Sequence, residues 1–127
     1  MTTNIELENA ANKLKLMNFR GVYMRDELKF KPLKQECGIL NLDCSNNSGT
    51  HWVAWSKDEK DKIYFDSFGV QPPLELIKYL KSPILYSTFQ IQNYNDTNCG
   101  EWCLYVLKEL NKGRDYIDII CDIINGK

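Results

Sequence analysis

The amino-acid sequence predicts an α+β fold in which helices pack on a small mixed β-sheet. Two short strand-like runs, 51–56 and 62–66, flank the charged stretch 57–61 and indicate a hairpin. Apolar residues from Cys99 onward recur at helical spacing until Gly113, which predicts the clearest helix of the chain. Together these observations favour a mixed domain over an all-α or all-β one.

The first half of the chain predicts one helix and one further strand. Residues 5–17 carry a modest amphipathic pattern, which predicts a helix. Residues 19–25 read as an irregular or extended connector that packs several large side chains. Residues 38–43 predict a short buried strand, and the polar residues 44–50 predict a loop. The inward face predicted for the first helix consists of Ile5, Ala10, Leu14 and Met17.

The second half predicts a helix, a strand and two more helices. Pro73 suits the first position of a helix that runs to Leu80. Residues 84–92 predict a strand, 94–98 a loop rich in capping residues, and 116–124 a last helix. The predicted inward positions are Leu74, Ile77 and Leu80 in the earlier helix, and Ile117, Ile120, Cys121 and Ile124 in the last one.

Length and composition predict a single domain that spans residues 1–127. The chain is 43% hydrophobic and 26% charged, which is ordinary for a folded domain. Sixteen basic and 17 acidic residues leave a net charge of −1, so overall charge does not favour nucleic-acid binding. No apolar run is long enough to span a membrane, and the N-terminus does not resemble a signal peptide.

Cysteine usage predicts free thiols in a reducing compartment. The five cysteines are Cys37, Cys44, Cys99, Cys103 and Cys121. With a single histidine and no C-x2-C pair, their spacing fits no zinc module, so we expect neither a metal nor a cofactor.

Four polar residues occur in an order that suits thiol-based acyl chemistry. They are His51, Asp66, Gln92 and Cys99. Histidine can act as general base, an acid can orient it, a side-chain amide can stabilise an oxyanion, and a thiolate can attack a carbonyl. The sequence therefore predicts a Cys-His-Asp triad with a glutamine oxyanion donor.

Cys99 is the predicted nucleophile because it begins the strongest helix. Asn98 suits the N-cap position, and the helix dipole there should lower the pKa of the thiol. Gly100 lets a substrate carbonyl approach closely and is a predicted substrate-binding residue. The alternative is a buried, inert cysteine, which we expect for Cys103 and Cys121.

His51 and Asp66 lie at the outer ends of the predicted hairpin strands, where they should be neighbours. The alternative for Asp66 is a turn-forming role only. Gln92 is the least specific of the four, and Asn93 or Asn95 could replace it as the oxyanion donor. Trp52 fits a core position and a lid over the substrate equally well, and we include it among the predicted substrate-binding residues. Trp55 and Trp102 are expected in the core.

The segments Gly-Thr-His51-Trp-Val-Ala-Trp, Tyr-Phe-Asp66-Ser-Phe-Gly and Gln92 with Asn-Cys99-Gly resemble adenain, the adenovirus maturation protease. The wider superfamily includes the Ulp-type proteases of ubiquitin-like proteins. Segments 19–27 and 36–43 are most similar to the adenain-like proteases of virophages and Polinton/Maverick elements. The resemblance runs from about Phe19 to Leu110, and Asp66 stands where adenain has glutamate, as in the Ulp-type branch.

The resemblance implies an adenain-like (papain-like) fold and the four catalytic roles named above. It implies a hydrolase that cleaves viral capsid precursors during virion maturation, after glycine-containing sites. We expect a monomer located in the virion and in the host cytoplasm (the viral factory), and the near-neutral charge argues against activation by nucleic acid. The alternatives are a protease for ubiquitin-like modifiers, an acyltransferase and a non-catalytic binding module.

Overall fold

The computed structural model describes residues 3–43, 51–92 and 98–126. Five strands form one mixed sheet in the order β1-β2-β3-β4-β5, in which the outer pairs β1–β2 and β4–β5 are parallel and the inner pairs are antiparallel. The strands are β1 Phe19–Met24, β2 Glu36–Asn41, β3 Trp52–Lys57, β4 Lys62–Phe65 and β5 Leu85–Tyr86. The helices are α1 Asn4–Leu14, α2 Leu74–Leu80, α3 Cys99–Asn111 and α4 Tyr116–Ile124. The predicted α+β class is confirmed.

The sheet separates two hydrophobic layers. Helices α1, α3 and α4 contribute to the larger layer, which includes Leu7, Trp52, Val106 and Ile119. Helix α2 covers the opposite face together with segment 28–30. Neighbouring residues of β3, the central strand, contribute to opposite layers, as strand alternation requires, and all six residues of β2 are buried.

The structure refines two sequence-based predictions about the sheet. Segment 19–25 was predicted as an irregular or extended connector, and the structure shows the extended form, because Phe19–Met24 is strand β1 and pairs in parallel with β2. The predicted strand 84–92 is confined to Leu85 and Tyr86, which pair with Ile63 and Tyr64 of β4. Pairing partners that lie far apart in the chain decided both cases.

The predicted buried faces of three helices were wrong in part. Helix α1 buries Leu7 and Ala11, while Ile5 is 66% exposed. Helix α2 buries Leu76, Tyr79 and Leu80 instead of Leu74 and Ile77. Helix α4 buries Tyr116, Ile119 and Ile120, and it leaves Ile117 and Cys121 exposed. In short helices with apolar residues on several sides, the contacts to the sheet select the buried face.

Candidate active site

His51 and Asp66 form a buried pair at one end of the β3–β4 hairpin. His51 immediately precedes β3, and Asp66 immediately follows β4. The imidazole Nε2 lies 2.6 Å from the Asp66 Oδ1, and the two side chains are only 8% and 1% exposed. The hairpin argument therefore correctly anticipated their proximity. The carboxylate holds Nε2 and leaves Nδ1 as the nitrogen that can serve a nucleophile.

Phe68 completes this pair, and the sequence analysis did not identify it. Its ring stacks on the imidazole of His51 with centroids 3.9 Å apart and planes 5° from parallel. Its backbone N–H also donates to the Asp66 Oδ1 at 2.8 Å. If the β3–β4 register is continued from the pair Ala54–Phe65, position 68 falls opposite position 51. Continuing the hairpin register in this way could have predicted the contact between Phe68 and His51 from the sequence.

Cys99 is the first residue of α3, as the sequence predicted. Asn98 occupies the N-cap position, but its side chain makes no capping hydrogen bond. The backbone N–H of Trp52 donates to the Cys99 Sγ at 3.4 Å, and the Cys103 thiol donates to the Trp52 carbonyl at 3.4 Å. The start of α3 is thus tied to the start of β3, which places the thiol beside His51.

The electrostatics of the site favour a thiolate–imidazolium pair. Burial is the largest influence on His51 and lowers its pKa, but hydrogen bonding and charge from Asp66 and Cys99 outweigh it and raise the pKa to about 9. Burial by itself raises the pKa of the Cys99 thiol. Interaction with His51 and the backbone N–H groups of Trp52 and Gly100 outweighs that effect, so the pKa is lowered. Each partner therefore stabilises the charged form of the other.

The His51–Cys99 interaction is longer and weaker than the His51–Asp66 hydrogen bond. Nδ1 of His51 is buried and has no ordinary hydrogen-bond partner among the described residues. It is the nitrogen left for the thiol, since Nε2 is held by Asp66. Tightening of this contact on substrate binding is expected, because catalytic hydrogen bonds are often long in the free enzyme.

Cys103 and Cys121 differ from Cys99 in opposite ways. Cys103 is fully buried, and burial raises the pKa of its thiol. Cys121 is exposed on α4, so the prediction of an apolar environment for it was wrong. Among the cysteines that the structure describes, only Cys99 combines a lowered thiol pKa with a histidine partner.

The backbone of Gln92 is hydrogen-bonded to the residue that follows Asp66. Its backbone N–H and that of Ile91 both donate to the Ser67 carbonyl, at 3.2 and 2.8 Å. Ser67 directly follows Asp66, so residue 92 is anchored to the turn that carries the acid. Its side chain is buried, with 4% of the residue exposed. The alternative oxyanion donors Asn93 and Asn95 lie outside the described residues.

The two predicted substrate-binding residues are both buried next to the thiol. Trp52 is 4% exposed and belongs to the larger hydrophobic layer, which favours a core position over a lid. Gly100 lies in the first turn of α3, and its backbone N–H acts on the Cys99 thiol.

Within ranges 3–43, 51–92 and 98–126, no cluster of three or more histidine, cysteine or acidic residues could hold a metal ion. In the same ranges, no helix combines the length and the apolar character needed to cross a membrane.

Similarity to known proteins points to viral cysteine proteases. The chain is 27% identical, over 82% of its length, to a cysteine protease of African swine fever virus from a Malawi isolate. The match to a Namibian isolate's protein, named a SUMO-1 cysteine protease, has the same identity and coverage. The chain spans about half the length of these curated relatives, with 46% of each covered. No protein-family profile matches the chain.

The crystal structure of the African swine fever virus pS273R protease has the same fold. It superposes with a TM-score of 0.68 at 17% sequence identity, covering 91% of this chain and 59% of that one. A second crystal structure of that protease gives a TM-score of 0.64. The chain is thus similar in sequence to these viral cysteine proteases and shares their fold.

Proposed function

We propose that this protein is a thiol endopeptidase with Cys99 as nucleophile, His51 as general acid and base, and Asp66 as the group that orients His51. The observation that carries the proposal is the buried His51–Asp66 contact of 2.6 Å next to a thiol whose pKa the same imidazole lowers. The similarity to viral cysteine proteases over 82% of the chain supports it.

The reaction begins from the thiolate–imidazolium pair. The Cys99 thiolate attacks the scissile carbonyl carbon, and the carbonyl oxygen becomes an oxyanion. Protonated Nδ1 of His51 then gives its proton to the leaving amine, which departs and leaves a thioester on Cys99. Neutral His51 next removes a proton from water, which attacks the thioester. The products are the acid and the regenerated pair.

The oxyanion requires donors that are in place before the reaction. We assign this role to the backbone N–H of Cys99, which lies at the N-terminus of α3, and to the side-chain amide of Gln92. The N-terminal end of a helix carries partial positive charge, which favours both the thiolate and the oxyanion. Anchoring of residue 92 to Ser67 supports the assignment, because it ties the donor to the turn that carries Asp66.

The direct test of catalysis is cleavage by purified protein and by matched cysteine variants. We expect Cys99→Ala to abolish cleavage and Cys121→Ala to leave it unchanged, because Cys121 is exposed on another helix. Thermal unfolding of both variants checks that the fold is intact. Retained cleavage by the Cys99 variant would overturn the assignment. A non-catalytic binding module is disfavoured because it has no need of a lowered thiol pKa.

For the substrate, we propose viral capsid precursors that are cut at glycine-containing sites during virion maturation. The resemblance to adenain-like proteases of virophages and Polinton/Maverick elements supports this, as do the viral relatives. We further propose that the protein acts as a monomer in the host cytoplasm and in the particle. Incubation with capsid precursors from the same genome, followed by mass spectrometry of the new termini, would identify the sites.

A second candidate substrate is a ubiquitin-like modifier, because three of the relatives carry the name SUMO-1 cysteine protease. Both candidates use the same catalytic chemistry, so variants of the triad cannot separate them. A SUMO-type probe with a C-terminal electrophile distinguishes them. Labelling of Cys99 by that probe, with no cuts in capsid precursors, would favour the modifier protease.

A further inference from the structure

A large cavity lies on the sheet face opposite to Cys99. Its volume is about 790 Å³, it is open to solvent, and it is lined by residues of segment 25–32, by Lys57 and Lys62 of the hairpin, and by residues of helix α2 with Lys81. Tyr79 and Leu80 in its wall belong to the layer under α2, whereas Cys99 belongs to the layer under α3. The proposed reaction uses none of the residues that line this cavity.

The cavity runs along the strands between the two ends of the sheet. At one end, Arg25 donates to the Leu42 carbonyl, and the Leu42 N–H donates to the carbonyl of His51. At the other end, Lys57 and Lys62 form the last pair of the β3–β4 ladder. Because β3 has six residues, the two ends are roughly 17–20 Å apart, about the length of an extended peptide of six residues.

Charge in the cavity is strongly positive although the whole chain has a net charge of −1. Its cationic residues are Arg25, Lys31, Lys57, Lys62, Lys78 and Lys81. The acidic residues that line it are Asp26 and Glu75, and Glu75 is bound by Arg25 through two hydrogen bonds of 2.7 and 3.0 Å. Among the described residues, no salt bridge involves any of the five lysines.

The cavity floor is apolar, and its aromatic rings are already engaged. Arg20 lies 4.3 Å above the ring of Phe30, which also contacts Tyr79 edge-on at 5.9 Å. Tyr79 packs against Trp55 and donates its hydroxyl to the Glu36 carboxylate at 2.6 Å. Nucleic-acid bases bind proteins by stacking on open aromatic faces, and these rings do not offer them. An apolar floor with a cationic rim suits a peptide better.

We propose that this cavity binds an acidic segment of a partner protein in extended conformation. Aspartate and glutamate side chains of the segment face the lysines, while its apolar side chains lie against Leu28, Phe30 and Pro32. The inference is independent of the proposed protease activity, because the site is on the opposite face of the sheet and its occupancy is measured without cleavage.

The test is fluorescence anisotropy of the full chain with a dye-labelled peptide of about eight residues in which glutamate and leucine alternate. The variant is Lys78→Glu/Lys81→Glu, which changes the last turn and the C-cap of α2. The matched control is Lys13→Glu/Lys15→Glu, which changes one residue in the last turn of α1 and its C-cap and makes the same change of charge. Lys81 and Lys15 also share a positive φ, at 64° and 54°.

We expect the cavity variant to bind the peptide about tenfold more weakly at low salt, while the α1 variant binds like the wild type. Lys31→Glu, in a separate segment, should weaken binding several-fold. A peptide with glutamine in place of glutamate should not bind. Unchanged reactivity of Cys99 with a thiol reagent checks that each variant is folded.

Three results would overturn the proposal. The wild type could fail to bind the acidic peptide, or both double variants could lose the same affinity, which would indicate only a general charge effect. Alternatively, a DNA strand of equal charge could bind more tightly than the peptide and lose affinity only in the cavity variant. The occupant would then be nucleic acid and not an acidic protein segment.

Discussion

The Asp66→Asn variant tests the electrostatic basis of the proposed catalysis. Asparagine keeps the shape of the side chain and a carbonyl oxygen that can accept from both His51 and the Phe68 N–H. It removes the negative charge that raises the pKa of His51. We therefore expect an intact fold and a less basic imidazole.

The size of the effect follows from the 2.6 Å contact. A buried hydrogen bond to a charged group contributes about 1.5–3 kcal/mol, and 1.36 kcal/mol corresponds to one pKa unit. A loss of about 2 kcal/mol would move the pKa of His51 from about 9 to roughly 7.5. At pH 8.5 the protonated fraction of His51, which the leaving amine requires, would fall roughly eightfold.

The pH profile of kcat/KM is the appropriate assay. In the wild type, cleavage should rise as Cys99 ionises and should fall at alkaline pH as His51 loses its proton near pH 9. In Asp66→Asn the alkaline limb should move to lower pH. Asp118→Asn, an exposed acid on α4, should leave it in place. An alkaline limb that stays near pH 9 in a folded Asp66 variant would refute the reasoning.

Three further predictions concern the surroundings of the site and the sheet. Phe68→Leu removes the ring stacked on the imidazole, so the alkaline limb should move to lower pH and kcat should fall several-fold. The control Phe89→Leu, at a residue 46% exposed, should change neither. Equal pH profiles for the two variants would contradict a positioning role for Phe68. Glu36→Gln removes a buried carboxylate that accepts hydrogen bonds from Arg20, Trp55 and Tyr79. Urea unfolding should show that the free energy of unfolding falls by about 3–5 kcal/mol. A fall of less than about 1 kcal/mol would argue against a stabilising role for this carboxylate. Gly69→Ala places a Cβ 2.6 Å from the Thr88 carbonyl oxygen at φ +74°, while Gly113→Ala at φ +89° has nothing within 4 Å. Both should lose about 1–2 kcal/mol for the backbone conformation, with a further loss at Gly69 only; equal losses would show that the contact is unimportant.

The elements that local pattern predicted correctly share a simple property. The hairpin and the helix that begins at Cys99 have periodic apolar residues and clear boundaries, so near neighbours in the chain suffice to define them. The prediction that His51 and Asp66 are adjacent needed only this hairpin. This prediction alone located two residues of the candidate site from the sequence.

Elements whose form depends on distant partners were predicted less well. Segment 19–24 becomes β1 through its parallel pairing with β2, and only Leu85 and Tyr86 of segment 84–92 pair with β4. Phe68 was missed because it looks like an ordinary turn residue until the hairpin register places it against His51.

The sequence alone determined which reactive groups this protein has, their order, and the helix and hairpin that carry them, because these depend on local periodicity and residue chemistry. Only the tertiary structure decided that Trp52 joins the starts of β3 and α3, which places Cys99 beside His51. The tertiary structure also placed six cationic residues from four segments of the chain around one cavity. Contacts of this kind arise from packing between segments that are distant in the chain, and no local pattern encodes that packing.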